Sequence, residues 1–589
     1  MIQKTSSSPN RRRLPQYLAL LLAQCLALLL AATFLTACPA AGPPVKHAAP
    51  PAPAPLGSGP VFFGSNASQV PNDLVVPTGS SPEQALTLLS TFAWQEFIAL
   101  NWLSTYNTTS FTRGEPDTHV TPLQFTQLGT QPLVWQTYMH RVEIFPLGVT
   151  QDGVTTYPNY PTSFNTPPQY FYTGVAGGQI LPCGGGSPPL SGLTTYFNNL
   201  DETSEISLAT LFVQGDPNAP GAPPPASSPF YSGLPGQPRR FIYQAKANAT
   251  MFNYILANKL YDSSTRKQVL GSTYTAVNQQ GLGGIAPCPT AGILCFPPGQ
   301  LNPPVQGMME VKATWRQLTL TEYQSGRYVT APVVRYSNPN PATPSTYCYE
   351  VIPGTPTSTT LPYGLVGLHI IHKTTNFPTF IFATFEQVDN LDQSKPDNQI
   401  FFYNNNNNGI VNPGQQYVTT RSHPVPPQVL AVNQQVQAQL HQLLQGSPFK
   451  DSVWAYYQLV GVQGEASNYA ENNDFFLANI ATETNEALSS FSGTLSANGT
   501  INSTQADIHQ GTTTFIGGGC KGCHGNAQIG NAQTQQASDF SFITLKAPFG
   551  APDAINQPIS MSSSPWPLGA PAPKAAATTK AAQAAGGRP

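Results

Sequence analysis

Near the carboxyl end of the chain stand residues with the types and spacing to hold a metalloporphyrin, Cys520-Lys521-Gly522-Cys523-His524. C-x-x-C-H is the attachment string of c-type haem. Two cysteines one turn apart reach the two vinyl groups of one porphyrin. The thioethers fix the ring, and His524 is presented to the iron as its proximal ligand. Gly517 to Gly519 and Gly522 let the backbone approach the ring closely. Given this chain's Cys and His content, the string arises by chance on the order of two times in a thousand such sequences. A thioredoxin-type C-x-x-C needs a βαβ context that the flanks do not supply, and a zinc site needs a second ligand pair.

The iron's other face has several candidates. Met561 lies 37 residues beyond His524, and His509 lies fifteen residues before it. Met308 and Met309 qualify if the haem docks on the main body, and an open sixth position is a further possibility. The 65 residues after His524 show no convincing helix. They cannot wrap a haem as a small independent cytochrome does. A porphyrin left in water exposes apolar area at roughly 25 cal/mol per Å². The haem segment is therefore expected to pack on the body, with Phe515, Phe540 and Phe542 as walls.

The amino terminus fits a compartment where such attachment occurs. Lys4 and Arg11 to Arg13 precede an apolar run from Tyr17 to Leu35, and the run ends in Leu35-Thr36-Ala37-Cys38. That ending matches a bacterial lipobox, in which the chain is cut before a cysteine that carries lipid. The bland alternative is a retained signal-anchor helix, since about 20 apolar residues can span a bilayer. Pro39 follows Cys38, where an aspartate would favour inner-membrane retention, so outer-membrane attachment is expected. Cys183, Cys288, Cys295 and Cys348 remain once the lipid and haem cysteines are set aside. In an oxidising compartment they suggest two disulfides, with three connectivities open and the short Cys288–Cys295 loop the simplest pair.

These residues need a scaffold, and the composition supplies one. Of 589 residues only 9% are charged, and the net charge is −2. No broad basic face exists to grip phosphates, so nucleic acid is not an expected partner. The 60 prolines and 49 glycines stay below the roughly 25–30% that marks low complexity. Residues 1–37 read as a lipoprotein signal peptide and 38–60 as a Pro/Ala-rich tether. An α+β body is expected over 61–494, a haem attachment segment over 495–561 and a disordered tail over 562–589. Helices are expected over 85–103, 247–261, 428–445 and 474–491. The first has a start signal in Ser81, Pro82 and Gln84. Strand-like runs cover 308–318, 327–335, 347–352, 364–373 and 378–388. Their short connections point to antiparallel neighbours. The expected architecture is α+β, with a largely antiparallel strand-rich body, packed helices, a docked C-terminal haem segment and disordered termini.

Other constellations carry less. His369 and His372 suggest a metal pair, but a separation of three places them on opposite faces of a strand. Ser447-Pro448-Phe449-Lys450 matches an S-x-x-K string without its partner motifs. Glu96, Glu143, Glu310, Glu386 and Asp389 are carboxylates inside apolar runs. Glu310, Lys312 and Arg316 share one strand face, which reads either as a solvated face with an ion pair or as a polar lining near a haem propionate or substrate cleft.

With those residues in view, the chain resembles an uncharacterised bacterial family of large monohaem "cytochrome c family" proteins. The resemblance rests on Phe92–Trp102 (FAWQEFIALNW), Arg113–Asp117 (RGEPD), Val134–Phe145 (VWQTYMHRVEIF) and Met309–Trp315 (MEVKATW). It continues through Gly364–Asn390 (GLVGLHIIHKTTNFPTFIFATFEQVDN), Leu477–Glu483 (LANIATE), the haem string and Asp539–Phe542 (DFSF). It implies one covalent haem c and export, and no established substrate or catalytic residue. Electron transfer with an unidentified redox partner protein is the leading expectation. The alternatives are a haem enzyme of peroxidase or dehydrogenase type, with its cleft in the body, and a haem-based sensor or binding protein.

Overall fold

The computed structural model describes residues 60–146, 148–151, 154–158, 160–172, 180–183, 195–202, 209–213, 239–262, 265, 294–338, 347–358, 360–391, 400–404, 425–449 and 451–464. Towards the end it describes 475–476, 479, 481–482, 492–493, 520, 524, 528–529, 536–537, 539–544 and 552. The expected signal peptide, tether and tail lie outside these residues, as do Cys38, Cys288, His509, Phe515, Cys523 and Met561. The chain has the α+β architecture the sequence implies. The described residues belong to one compact unit.

Its centre is an eight-stranded sheet. The strands are β1 (Met139–His140), β2 (Ala209–Val213), β3 (Arg239–Ala247) and β4 (Met309–Gln317). They continue with β5 (Tyr363–His372), β6 (Ile381–Gln387), β7 (Ile400–Asn404) and β8 (Tyr457–Gln463). The order is β7-β2-β3-β4-β5-β6-β8, with β1 added alongside β3, and every pairing is antiparallel. A smaller mixed sheet contains Val333–Ser337 and Cys348–Ile352. Two helices cover one face of the large sheet: α1 (Pro82–Leu100) and α3 (Pro427–Leu444). A shorter helix, α2 (Ala249–Ala257), follows β3. The capping box at Ser81 and Gln84 starts α1 with both reciprocal bonds formed. Phe97 of α1 stacks on Phe385 of β6 at 4.3 Å, and Trp94 meets the same ring edge-on at 5.0 Å.

Two expectations need correcting. Residues 474–491 do not form one helix, because Phe475–Phe476 pairs as a short strand with Ser492–Gly493. Asn479 instead donates to the Phe385 carbonyl and caps a turn at Ala481, and Thr482 bonds Thr314. Such side chains compete with helix backbone bonds. The run 327–335 becomes strand only at Val333, immediately after Pro332, which has no N–H to give a ladder. A bulge between Leu365 and Gly367 then moves Leu365 to the helix-covered face beside Leu368 and Ile370. His369 and His372 still lie on opposite faces.

Candidate functional site

The two faces of β4, β5 and β6 are chemically different. Met309, Val311, Ala313, Trp315, Leu368, Ile370 and Phe385 form the helix-covered face. His372 is also there, with its Nδ1 2.6 Å from Glu96 of α1. Burial raises the pKa of Glu96, opposed by its hydrogen bond with His372. The other face carries Glu310, Lys312, Thr314, His369, Phe382, Thr384 and Glu386, in register across the three strands. It is no solvated face. Residues from the chain's C-terminal part lie on it.

Three contacts fix that cover. Thr482 shares a hydrogen bond of 2.8 Å with Thr314. A Cβ on Gly367 would sit 3.1 Å from the Thr482 hydroxyl, so glycine there lets the 479–482 turn come close. Ser541 donates a short hydrogen bond to Glu310. Lys373, just past β5, donates to Asp539 at 2.5 Å, and Asp539 Oδ2 also accepts the Phe296 N–H at 2.7 Å. Burial pushes the Asp539 carboxyl up, opposed by Lys373. Asp539 and Phe540 both sit in the left-handed backbone region, with φ of 49° and 66°. This conformation is costly for non-glycine residues and persists where its surroundings enforce it. Here the buried ion pair and the Phe296 N–H enforce it.

That turn positions His524. The Phe540 carbonyl accepts from His524 Nδ1 at 2.7 Å, which fixes the tautomer and leaves Nε2 to present its lone pair. The His524 ring lies between Phe382 and Phe542, with centroids 4.9 and 4.7 Å away. Its pKa is pulled down to about 4 by burial, opposed by the Phe540 bond and helped by Lys312. The imidazole is therefore neutral at ambient pH. Cys520 is buried, belongs to the main apolar cluster with Phe540 and Ile543, and forms no disulfide. A neutral imidazole with an oriented Nε2, a reduced cysteine and phenylalanine walls fit a thioether-linked haem. Among the described residues there is no group of three or more His, Cys, Asp or Glu side chains able to hold a bare metal ion.

The remaining residues singled out in the sequence fall elsewhere. Cys183 and Cys348 form a disulfide, and Cys295 is disulfide-bonded to a cysteine outside the described residues. Met309 points to the helix-covered side, where the Tyr138 hydroxyl lies 3.9 Å from its sulfur. Met308 is buried in the main apolar cluster. Arg316 pairs with Glu322 and Arg327 with Asp389, while Glu386 accepts from Gln458 at 2.9 Å. Arg113 clamps Glu143 with two bonds of 3.1 and 2.7 Å. Beside them buried Lys246 donates to the carbonyls of Gln136 and Tyr138, and burial lowers its pKa to about 7. The charged residues of the Arg113–Asp117 and Val134–Phe145 stretches thus tie segments together. Ser447 lies in a turn, bonded to Phe449. Among the described residues no helix is long and apolar enough to cross a membrane.

Sequence reasoning missed the clasp of Lys373 and Asp539 and the place of Phe382. Both lie in stretches quoted above for the resemblance, but no local pattern shows that residues 166 positions apart will meet. Comparison with protein-family models, curated proteins and solved structures returns no match.

Proposed function

We propose that this chain is an exported monohaem c-type cytochrome, held on the outer membrane by lipid at Cys38, that transfers electrons to or from another protein. Haem c is carried on Cys520 and Cys523, with His524 as proximal ligand. The observation that carries the reading is the junction of motif and geometry at His524. The last residue of the C-x-x-C-H string has its Nδ1 tied to a backbone carbonyl, the arrangement that orients a metal-binding imidazole. Haem supplies reversible one-electron chemistry when bound. The chain's part is to hold Nε2 in place through Phe540, to exclude water with Phe382, Phe540 and Phe542, and to set nearby charge through Lys312. Among the described residues no recognisable catalytic set accompanies the motif, which favours electron transfer over the enzyme and sensor readings.

The test is chemical. The purified protein should give a pyridine haemochrome of the c type and a haem-stained band on a denaturing gel. Cys520→Ala with Cys523→Ala should remove the stain completely, and stain that survives refutes the proposal. Cys38→Ala should leave the chain unprocessed or released in soluble form. Normal acylation of that variant refutes the anchor.

A further inference from the structure

We infer that His369 is the second protein ligand of the iron, opposite His524, so that the centre is a bis-histidine one. The inference rests on the haem reading above and adds to it. A sixth ligand from the body must lie on the sheet face that the C-terminal segment covers, close to His524, and must offer a neutral nitrogen or sulfur. His369 lies on that face. It pairs directly with Lys312 on one side and Thr384 on the other, and its neighbour Ile371 pairs with Phe382, whose ring touches His524. His369 is therefore the diagonal neighbour of a residue in contact with the proximal histidine, a separation long side chains bridge.

The charged groups around it are held by protein partners. Lys312 is paired with Glu202 at 2.9 Å, Glu310 receives Ser541, and Lys373 is held by Asp539. Met309 and His372 lie behind the sheet. Among the described residues on this face, His369 is the imidazole. His369 is buried on this face. Imidazole ligates iron through an unprotonated ring nitrogen.

The full chain, matured with covalent haem, tests this by spectroscopy. The unaltered protein should be low-spin in both oxidation states, should not bind carbon monoxide, and should lack the methionine–iron charge-transfer band. His369→Ala should keep its haem stain, turn high-spin and bind carbon monoxide, and added imidazole should restore the low-spin spectrum. His369→Met should gain the methionine–iron band and a higher reduction potential, since methionine ligation raises it. If His369→Ala does not fold, His369→Met decides: appearance of the band supports the assignment, and an unchanged spectrum overturns it. A high-spin iron in the unaltered protein, or a His369→Ala spectrum unchanged without imidazole, also overturns it. Absence of haem stain from the unaltered protein is a different result and removes the parent reading instead.

Discussion

Across β4, β5 and β6 the large sheet buries both of its faces, but by different chemistry. On the helix-covered face, aromatic and aliphatic side chains interlock, with the Glu96–His372 pair set among them. The opposite face has the polar residues that an antiparallel sheet usually shows to water, yet it is covered by a later part of the chain. That cover meets Glu310 with Ser541, Thr314 with Thr482, and Lys373 with Asp539. The comparison teaches that burial here is bought twice, once by apolar area and once by matched polar partners. The first kind tolerates repacking, whereas the second depends on each partner being present.

The largest effect should come from the apolar face. Trp315 is wholly buried against Trp135, and Trp315→Ala should cost about 4 kcal/mol and weaken the whole unit cooperatively, read by denaturant unfolding. Asp539→Ala should cost about 3 kcal/mol, because Lys373 is left buried without its counter-charge. Its signature should differ: hydrogen exchange should rise in 520–544 while β4 to β6 stay protected. Equal loss of protection in both regions would erase the proposed difference between the faces.

Glu310 gives a smaller, pH-dependent test. Burial raises its pKa to about 8, against opposing effects of Ser541 and Lys312, with Asp539 adding to the rise. The folded state therefore holds a proton that the unfolded chain releases near the ordinary carboxyl pKa of about 4.3. Stability from this group is present below that value and falls as pH climbs towards 8. Glu310→Gln should flatten the slope of melting temperature between pH 5 and pH 8 and raise stability at the alkaline end (on the order of 1–2 kcal/mol). A slope unchanged by the substitution contradicts the assignment. The smallest effect is expected for Thr482→Val, which deletes one buried hydrogen bond to Thr314 at about 1 kcal/mol. Thermal melts would resolve it, and a stabilised variant would show that this contact is not a fastener.

Much of the scaffold was legible because local signals agreed with it. Ser81, Pro82 and Gln84 mark the start of α1, and the alternation in Met309–Gln317 and Tyr363–His372 gives strands with two distinct faces. β3 and β8 escaped notice, since Arg239–Ala247 and Tyr457–Gln463 mix polar and apolar residues without a clean period. The region around Asn479 reads as helix in the sequence because its apolar spacing hides side chains that bond across the sheet. The chemistry-bearing string was plain in the sequence. Its surroundings were not, because Phe382, Lys373 and Glu310 reach it through contacts spanning 140 or more positions, which no window of local pattern contains.

The Asp539–Phe540 turn also sets an order of events in the life of the chain. Cys520 is 7% exposed once that turn has closed on the sheet. If haem c is attached there as proposed, the enzyme that alkylates the sulfur must meet the polypeptide earlier, before Cys520 is buried. Docking in turn requires β5 and the strand pairings beside it, which are slow non-local steps. On the proposed haem reading, the interval before completion of the sheet is then a window for cofactor loading. A variant that closes the turn faster should leave more of the chain without the proposed haem, even though the finished fold would be the more stable one.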